Sequence, residues 1–247
     1  MNRIYCISDL HGHYQIFLKM LEKICFDDSD EMYVLGDCND RGVFAYEIYD
    51  YIRKHDKNIH LIKGNHEAMM RDTLIIGDWK KPDGRLWSQN GGKRTMEQLK
   101  AHFKVDGEYT EESECEFKKY TSKLIEFINS CPNYVELNVN GKDFVLIHAG
   151  INPEKSLYEQ DETECIWMRE WFYLSKGLDG KTIIFGHTPT ILIDGRCKHG
   201  PWYDQVYKDK IGIDGGLANY KEGQLNCLCL NDMSLSSIRL EEVAEEI

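Results

Sequence analysis

Three short apolar runs open the chain, and each is followed at once by polar or glycine residues. They cover residues 4–7, 32–35 and 59–62. Apolar residues between them recur three and four positions apart, at 17, 20, 21 and 24 and again at 45, 48, 49 and 52. Continuous runs are typical of strands buried on both faces, and the 3–4 spacing is typical of amphipathic helices. The order predicts a βαβαβ unit with functional loops at the carboxyl ends of its parallel strands.

The remainder of the chain predicts helices first and strands later. Residues 69–131 carry polar loops and helical patterns, with Thr110 as an N-cap, and we interpret them as a helical cap or insertion within a single domain of residues 1–247. A hairpin is predicted over 135–147 around Asn140-Gly141, with further strands at 182–185, 210–213, 225–230 and 234–240. The predicted fold class is α/β, or α+β, with two sheets packed between helices.

Charge and cysteine content exclude several classes of protein. The 247 residues include 42 acidic and 30 Lys and Arg residues, a net charge of −12, which argues against nucleic-acid and membrane-surface partners. The nine cysteines form no CxxC pair, and there is neither a signal-peptide core nor an apolar stretch long enough to span a membrane. We therefore expect a soluble protein with reduced thiols in the cytoplasm. A chain of this length needs no metal for stability, so a bound metal would serve chemistry.

Five predicted strands end in residues that can bind metals. Alone, an Asp or His after a strand is more often a helix cap or turn former than a ligand, but five such endings are hard to assign to that role. Carboxylate, amide and imidazole ligands without cysteine suit Mn, Fe or Zn better than Ca or a thiolate zinc site. The pattern predicts a two-metal hydrolytic centre. The residues carried to one edge are Asp9, His11, Asp37, Asn65, His148 and His187.

These endings resemble the motifs of a known family. In chain order they are Asp-x-His, Gly-Asp-x-x-Asp-Arg-Gly, Gly-Asn-His-Glu, His-Ala-Gly and Gly-His-Thr, within about residues 1 to 230. The set is similar to that of the metal-dependent phosphoprotein phosphatases of the calcineurin-like metallophosphoesterase superfamily. Trp87 with Asn90-Gly91-Gly92 resembles the short bacterial-type members. The resemblance implies a calcineurin-like fold, with two mixed β-sheets in a sandwich flanked by helices, and hydrolysis of phosphomonoesters on phosphorylated Ser or Thr.

The resemblance also implies a role for each metal-binding position. Asp9 and His11 would bind the first of two divalent ions, and Asp37 would bridge both. The second ion would be bound by the later positions, Asn65, His148 and His187. We expect Mn, with Fe or Zn as alternatives. The ions would activate a hydroxide for in-line attack on phosphorus.

Four further positions would handle the substrate and the leaving group. His66 would protonate the leaving alkoxide, with Asp40 hydrogen-bonded to its other ring nitrogen. Arg41 would clamp the phosphate together with Asn65. Arg169, which follows Trp167, is the candidate for a second phosphate-binding arginine, and its alternative role is an ion pair with a neighbouring glutamate.

Three functions compete at this point. The first is a serine/threonine protein phosphatase whose partner is a phosphorylated protein or peptide. The second is a symmetrical dinucleoside tetraphosphate hydrolase, a subfamily that generally has Ala-Arg and Gly-Asn-His-Asp where this chain has Asp40 and Glu67. Both differences favour the phosphatase. A non-catalytic phosphopeptide-binding scaffold is the third, and the retention of every ligand position and His66 disfavours it. The oligomeric state is left open.

Overall fold

The three opening runs form parallel strands in the computed structural model, which describes residues 2–243. Strands β1 (Ile4–Ile7), β2 (Glu31–Val34) and β3 (Ile59–Leu61) pair in that order, and β1 and β2 run in parallel, as do β2 and β3. Helices α1 (Tyr14–Lys23) and α2 (Ala45–Lys54) connect them. The predicted βαβαβ unit is therefore confirmed.

The other elements follow in chain order. They are α3 (Asn65–Ile76), α4 (Pro82–Gln89), α5 (Gly92–His102), α6 (Glu111–Ser130), β4 (Tyr134–Val139), β5 (Lys142–Ile147), α7 (Glu162–Trp167), α8 (Glu170–Leu174), β6 (Lys181–Phe185), α9 (Thr190–Ile193), β7 (Trp202–Tyr203), β8 (Lys210–Gly212), β9 (Gln224–Cys229) and β10 (Leu235–Arg239). Two mixed sheets result, with strand orders β10-β9-β1-β2-β3 and β4-β5-β6-β8-β7. The predicted fold class is confirmed. Residues 1 and 244–247, which the single-domain prediction also covers, lie outside the described residues.

Buried side chains on both faces of each sheet hold these layers together. In β1, Tyr5 and Ile7 pack against the helices on the outer side, whereas Cys6 packs between the two sheets. Phe144 and Ile184 of the second sheet pack in the same layer as Cys6, between the two sheets. Phe185 packs in the layer on the other face of the second sheet. Because successive residues of a strand point to opposite faces, a continuous apolar run is what a strand buried on both sides requires.

The predicted helical segment contains α4, α5 and α6 and most of α3. The Thr110 side chain accepts a hydrogen bond from the Ser113 amide at 3.2 Å, so it caps α6 as predicted. The predicted hairpin also forms: β4 and β5 pair antiparallel around Asn140 (φ 52°) and Gly141 (φ 80°). Positive φ at both positions is what a tight two-residue hairpin turn needs, and Asn-Gly tolerates it at low cost.

The structure bears on two expectations about the chain's environment, the lack of a membrane-spanning segment and the reduced state of the cysteines. Within residues 2–243, none of the helices is both long and apolar enough to cross a bilayer. All nine cysteines have free thiols. The cytoplasmic location itself stays a prediction.

A partly buried ion-pair cluster ties α3 to α7 beside the end of β3. Lys63, only 5% exposed, donates to the Glu162 carboxylate at 2.6 Å. Arg71 donates to both oxygens of Glu162, at 3.0 and 2.7 Å. These three residues are too far apart in the sequence for any local pattern to have linked them. The cluster holds α3, whose first residues reach the candidate site described below.

Replacing Glu162 with glutamine is expected to lower the free energy of unfolding by about 2 kcal/mol at neutral pH, because Lys63 then stays buried without its counter-ion. The hydrogen bond from Arg71 and the one from Lys63 lower the pKa of Glu162 to about 2, from 4.5. The stabilisation is therefore complete above the unfolded-state pKa and is lost as pH falls through the folded-state pKa. Urea unfolding at several pH values should show wild type and variant converging under acid conditions, with exposed Glu154→Gln as the matched control. A stability difference that does not change with pH would contradict this account.

Candidate metal centre

The five predicted loops meet where the two sheets end. Parallel strands place their carboxyl ends at one edge, so the loops after β1, β2 and β3 come together, as do those after β5 and β6. Hydrogen bonds then join the two sheets at this edge. The His148 Nδ1 donates to the Leu35 carbonyl at 2.6 Å, and the His187 amide donates to the Asp9 carboxylate at 2.9 Å.

The backbone at this edge is held in an unfavourable conformation. Six of the predicted site residues have φ between 43° and 69°, a left-handed region that costs a non-glycine residue about 1–3 kcal/mol. These residues are Asp9, His11, Asp37, Asp40, Arg41 and His187. Gly36 (φ 82°) makes the close approach possible, since a Cβ there would lie 2.6 Å from Gly64 Cα and from His148 Nδ1. Strain concentrated at one edge, supported by the surrounding sheets, is typical of a functional site.

Four predicted ligands converge on one point. The Asn65 Oδ1 lies 2.9 Å from both His148 Nε2 and His187 Nδ1, and these two nitrogens are 3.2 Å apart. The Asp37 Oδ1 is 3.5 Å from His148 Nε2. Because His148 Nδ1 donates to a backbone carbonyl, its Nε2 presents a lone pair to this cluster. An amide oxygen, a carboxylate and imidazole lone pairs facing one another fit a divalent cation.

A second group lies on the other side of the same carboxylate. The Asp37 Oδ2 is 3.7 Å from His11 Nε2 and 3.8 Å from His66 Nε2. His11 donates a hydrogen bond through Nδ1 to the Asn39 carbonyl at 2.8 Å, so its Nε2 carries a lone pair. This Nε2 accepts a hydrogen bond from Arg41 Nη1 at 2.7 Å. Asp37 thus faces both groups, as a bridging ligand must.

Asp9 differs from the predicted arrangement. It is buried, but its carboxylate lies outside both groups of mutually close donor atoms. One group consists of His11, Asp37 and His66, and the other of Asp37, His148 and His187. One of its oxygens accepts a hydrogen bond from the His187 amide at 2.9 Å. Its role as a ligand of the first ion stays a prediction.

The pKa values separate ligand-like histidines from one that is suited to carry a proton. Burial, together with nearby positive charge, lowers the pKa of His11 and of His187 well below the ordinary value, so both present lone pairs at neutral pH. For His66 burial acts in the same direction, but the charge of Asp37 and the hydrogen bond to Asp40 outweigh it and raise the pKa. His66 is therefore suited to carry and donate a proton.

The two buried aspartates also differ from each other. Burial and the neighbouring Asp37 charge raise the pKa of Asp9 to about 6. Burial would raise the pKa of Asp37 as well, but electrostatic interactions with the surrounding groups, His66 and Arg41 among them, and the hydrogen bond from the His66 amide outweigh it and lower the pKa. Asp37 is therefore the carboxylate best prepared to face two cations. The whole donor set fits a pair of divalent ions.

Asp40 is held on His66 by residues of the helical segment. The His66 Nδ1 lies 2.5 Å from Asp40 Oδ2. Trp87 donates through Nε1 to both carboxylate oxygens at 3.0 Å, and Thr95 donates to Oδ1 at 2.5 Å. Trp79 stacks on Trp87 with ring centroids 5.1 Å apart. The sequence indicates Trp87 through the resemblance, whereas no motif at Thr95, within α5, indicates its contact with Asp40.

Glu67 fixes the loop that carries Asp37. Its carboxylate accepts hydrogen bonds from the Gly64, Asp37 and Cys38 amides at 2.9, 2.8 and 2.7 Å, and from the Tyr49 hydroxyl at 2.9 Å. It therefore caps α3 and orients the neighbouring loop.

Arg169 lies at the edge of the site. Its Nη1 donates to the Thr188 hydroxyl at 2.9 Å, next to His187, and its charge contributes to the lowered pKa of His187. Within residues 2–243 it forms no ion pair with a carboxylate, so the alternative role is not observed. Its backbone (φ −138°, ψ −122°) directly precedes α8. A role in phosphate binding stays a prediction.

Known proteins similar to this chain point to phosphoester chemistry. Residues 2–214 match the family described as calcineurin-like phosphoesterase. Serine/threonine-protein phosphatase 2 of Salmonella typhimurium is 26% identical over 224 residues, which are 86% of this chain and 87% of that protein.

A second group of relatives has a different activity in its name. The symmetrical bis(5'-nucleosyl)-tetraphosphatase of Haemophilus ducreyi is 25% identical over 154 residues, which are 62% of this chain and 47% of that protein. A crystal structure described provisionally as a diadenosine tetraphosphatase superposes with a TM-score of 0.61 at 16% identity, covering 96% of this chain and 93% of the other. The structural likeness concerns the fold alone.

Proposed function

The chain belongs to the calcineurin-like phosphoesterase family and is a hydrolase, and on that premise we propose that it is a metal-dependent serine/threonine protein phosphatase. The observation that carries the proposal is the hydrogen bond between His66 and buried Asp40. Cleavage of a serine or threonine phosphate releases an alkoxide, a strong base that must be protonated as it leaves. The terminal phosphate of a released nucleotide is a weak base and makes no such demand. An acid held this firmly therefore favours an alkyl phosphate as substrate.

The metals are proposed to be two divalent ions, Mn²⁺ in the first place, with Fe or Zn as alternatives. Asp9, His11 and Asp37 would hold one, and Asp37 with the Asn65 cluster described above would hold the other. When bound, such a pair lowers the pKa of water toward neutrality and offsets the charge of the phosphate. The family uses a binuclear divalent metal centre.

The protein's own residues would position the phosphate and the proton. Arg41, whose Nη2 lies 3.4 Å from His66 Nε2, can present two parallel N–H groups to phosphate oxygens beside the acid. Asn65 would contribute its amide group and Arg169 would close the other side of the phosphate. His66 would release its proton from Nε2, since Nδ1 faces Asp40.

One second candidate is supported by the relatives named above. A symmetrical dinucleoside tetraphosphate hydrolase would use the same ligands and the same Arg41. The similarity to the tetraphosphatases favours it, whereas the Asp40–His66 pair and Glu67 favour the phosphatase.

A paired assay distinguishes the two. The Mn-loaded protein is expected to hydrolyse a phosphothreonine peptide at least about tenfold faster, in kcat/KM, than diadenosine tetraphosphate, because its acid serves an alkoxide leaving group. Both substrates are measured with the same enzyme sample, and again with Fe and Zn. A strong preference for the dinucleotide under every metal would overturn the proposal.

A further inference from the structure

A cavity of about 320 Å³ opens beside the candidate phosphate clamp. Arg41 belongs to both the metal centre and the cavity wall, so a group seated in the cavity lies next to a phosphate held by Arg41. The remaining walls come from the first turn of α1, the loop before α2, helix α5 and the segment after β10. The residues with side chains in the lining are His13, Gln15, Ile16, Arg41, Val43, Phe44, Arg94, Leu240 and Val243.

The lining combines an apolar surface with positive charge. Five of its side chains are aliphatic or aromatic. Among the described residues that line the cavity none is acidic, although the chain carries 42 acids against 30 bases. Arg94 is exposed at the rim and forms no ion pair within the described part of the chain. The cavity therefore suits a group that is apolar at its base and anionic at its rim.

The loop that forms one wall is held in place before any ligand binds. The Phe44 amide donates to the Gly12 carbonyl at 3.1 Å, and the Gly42 amide donates to the His11 carbonyl at 2.8 Å. Gln98 donates to the Gly42 carbonyl at 2.9 Å. A preformed apolar cavity binds without first ordering its own backbone.

We propose that this cavity binds the apolar side chain of a residue next to the phosphorylated residue of a peptide, with an acidic residue beyond it facing Arg94. The inference rests on the proposed phosphatase function and names the peptide sequence that the same site selects. A nucleobase fits the lining less well, because its exocyclic group and ring nitrogens need several hydrogen-bond partners and most of the lining side chains are apolar. Gln15 could accept one such hydrogen bond, whereas His13 Nδ1 is already engaged with the Leu10 carbonyl at 3.0 Å.

The test compares three phosphothreonine peptides with the Mn-loaded protein. One has Leu next to the phosphothreonine and Asp beyond it, one has Ala in place of Leu, and one has Ala in place of Asp. We expect the first to exceed the second about tenfold in kcat/KM, as hydrophobic pockets typically discriminate. It should exceed the third about threefold, a typical effect for an exposed ion pair. Para-nitrophenyl phosphate, which has no neighbouring residue, serves as the reference substrate.

Two variants localise the effect. Val243→Trp should fill the cavity and remove the preference for Leu while leaving hydrolysis of para-nitrophenyl phosphate unchanged, and Arg94→Met should remove only the preference for Asp. Val206→Trp, at a residue that is 78% exposed and outside the cavity, is the matched control.

The outcomes separate this inference from the function on which it rests. Phosphopeptides hydrolysed regardless of the neighbouring residue would overturn the cavity's role and leave the phosphatase intact. A Val243→Trp variant that loses only dinucleotide hydrolysis would assign the cavity to a nucleobase instead. Loss of para-nitrophenyl phosphate hydrolysis in that variant would show that the cavity serves the reacting phosphate itself. A wild-type protein that cleaves no phosphopeptide would overturn both proposals.

Discussion

Replacing Asp37 with asparagine is expected to reduce kcat/KM for a phosphopeptide by at least about 10³-fold, because several kcal/mol of transition-state charge stabilisation would come from the ions that we propose this carboxylate to bridge. The Asp37 oxygens face His148 at 3.5 Å on one side and His11 at 3.7 Å on the other. An amide in this place has one oxygen and no charge, so it cannot serve both groups. Elemental analysis of the purified variant should show less than two equivalents of metal.

The control for this experiment makes the same aspartate-to-asparagine substitution at a position outside the metal centre. Asp72→Asn alters a carboxylate that pairs with Arg71 at 2.7 Å, away from the metal centre. It should retain full metal content and activity. Circular dichroism of both variants excludes a loss of fold. Two equivalents of metal in a folded Asp37→Asn protein would show that this carboxylate does not bridge the ions.

Replacing His66 with asparagine is expected to slow hydrolysis of a serine or threonine phosphate by about 10²–10⁴-fold, the usual contribution of a positioned acid. An aryl phosphate such as para-nitrophenyl phosphate should be affected much less, because its leaving group is a weak base. The ratio of the two effects measures proton donation specifically. Metal content should remain at two equivalents, since the raised pKa of His66 favours the protonated ring, which has no lone pair to offer a metal ion.

The metal measurement decides between two roles for the same ring. His66 Nε2 lies 3.8 Å from Asp37 and belongs to the group of donor atoms that also includes His11, so its position alone would allow metal binding. His11→Asn provides the comparison, because it removes a ring whose Nε2 lone pair faces the metal centre. If His66→Asn lost metal as His11→Asn does, and slowed both classes of substrate equally, His66 would be a ligand.

Much of the fold could be predicted because its signals are local. Strand β1 shows its burial on both faces in a run of four residues, and the Asn140-Gly141 turn specifies its hairpin. The candidate ligand positions could be identified because each follows a strand, where chain direction and sheet geometry place it at one edge. Helix α6 revealed its start through Thr110.

The supporting contacts could not be predicted because they join distant segments. Thr95 reaches Asp40 across 55 residues, and Glu162 reaches Lys63 across 99. No periodicity or motif relates such pairs, since their contact depends on how helices pack. Asp9 illustrates the same limit, because the sequence identified a carboxylate at the site but not the direction of its oxygens.

The sequence by itself determined which donor groups the site contains: carboxylates, imidazoles and an amide, each placed by the end of a strand. Only the tertiary structure decided what state those groups are in. His11 and His66 are the same side chain, yet burial and nearby charge lower one pKa, while Asp37 and Asp40 raise the other. A protonation state depends on the distances to charges and on the exclusion of water, and both arise only when remote segments pack together.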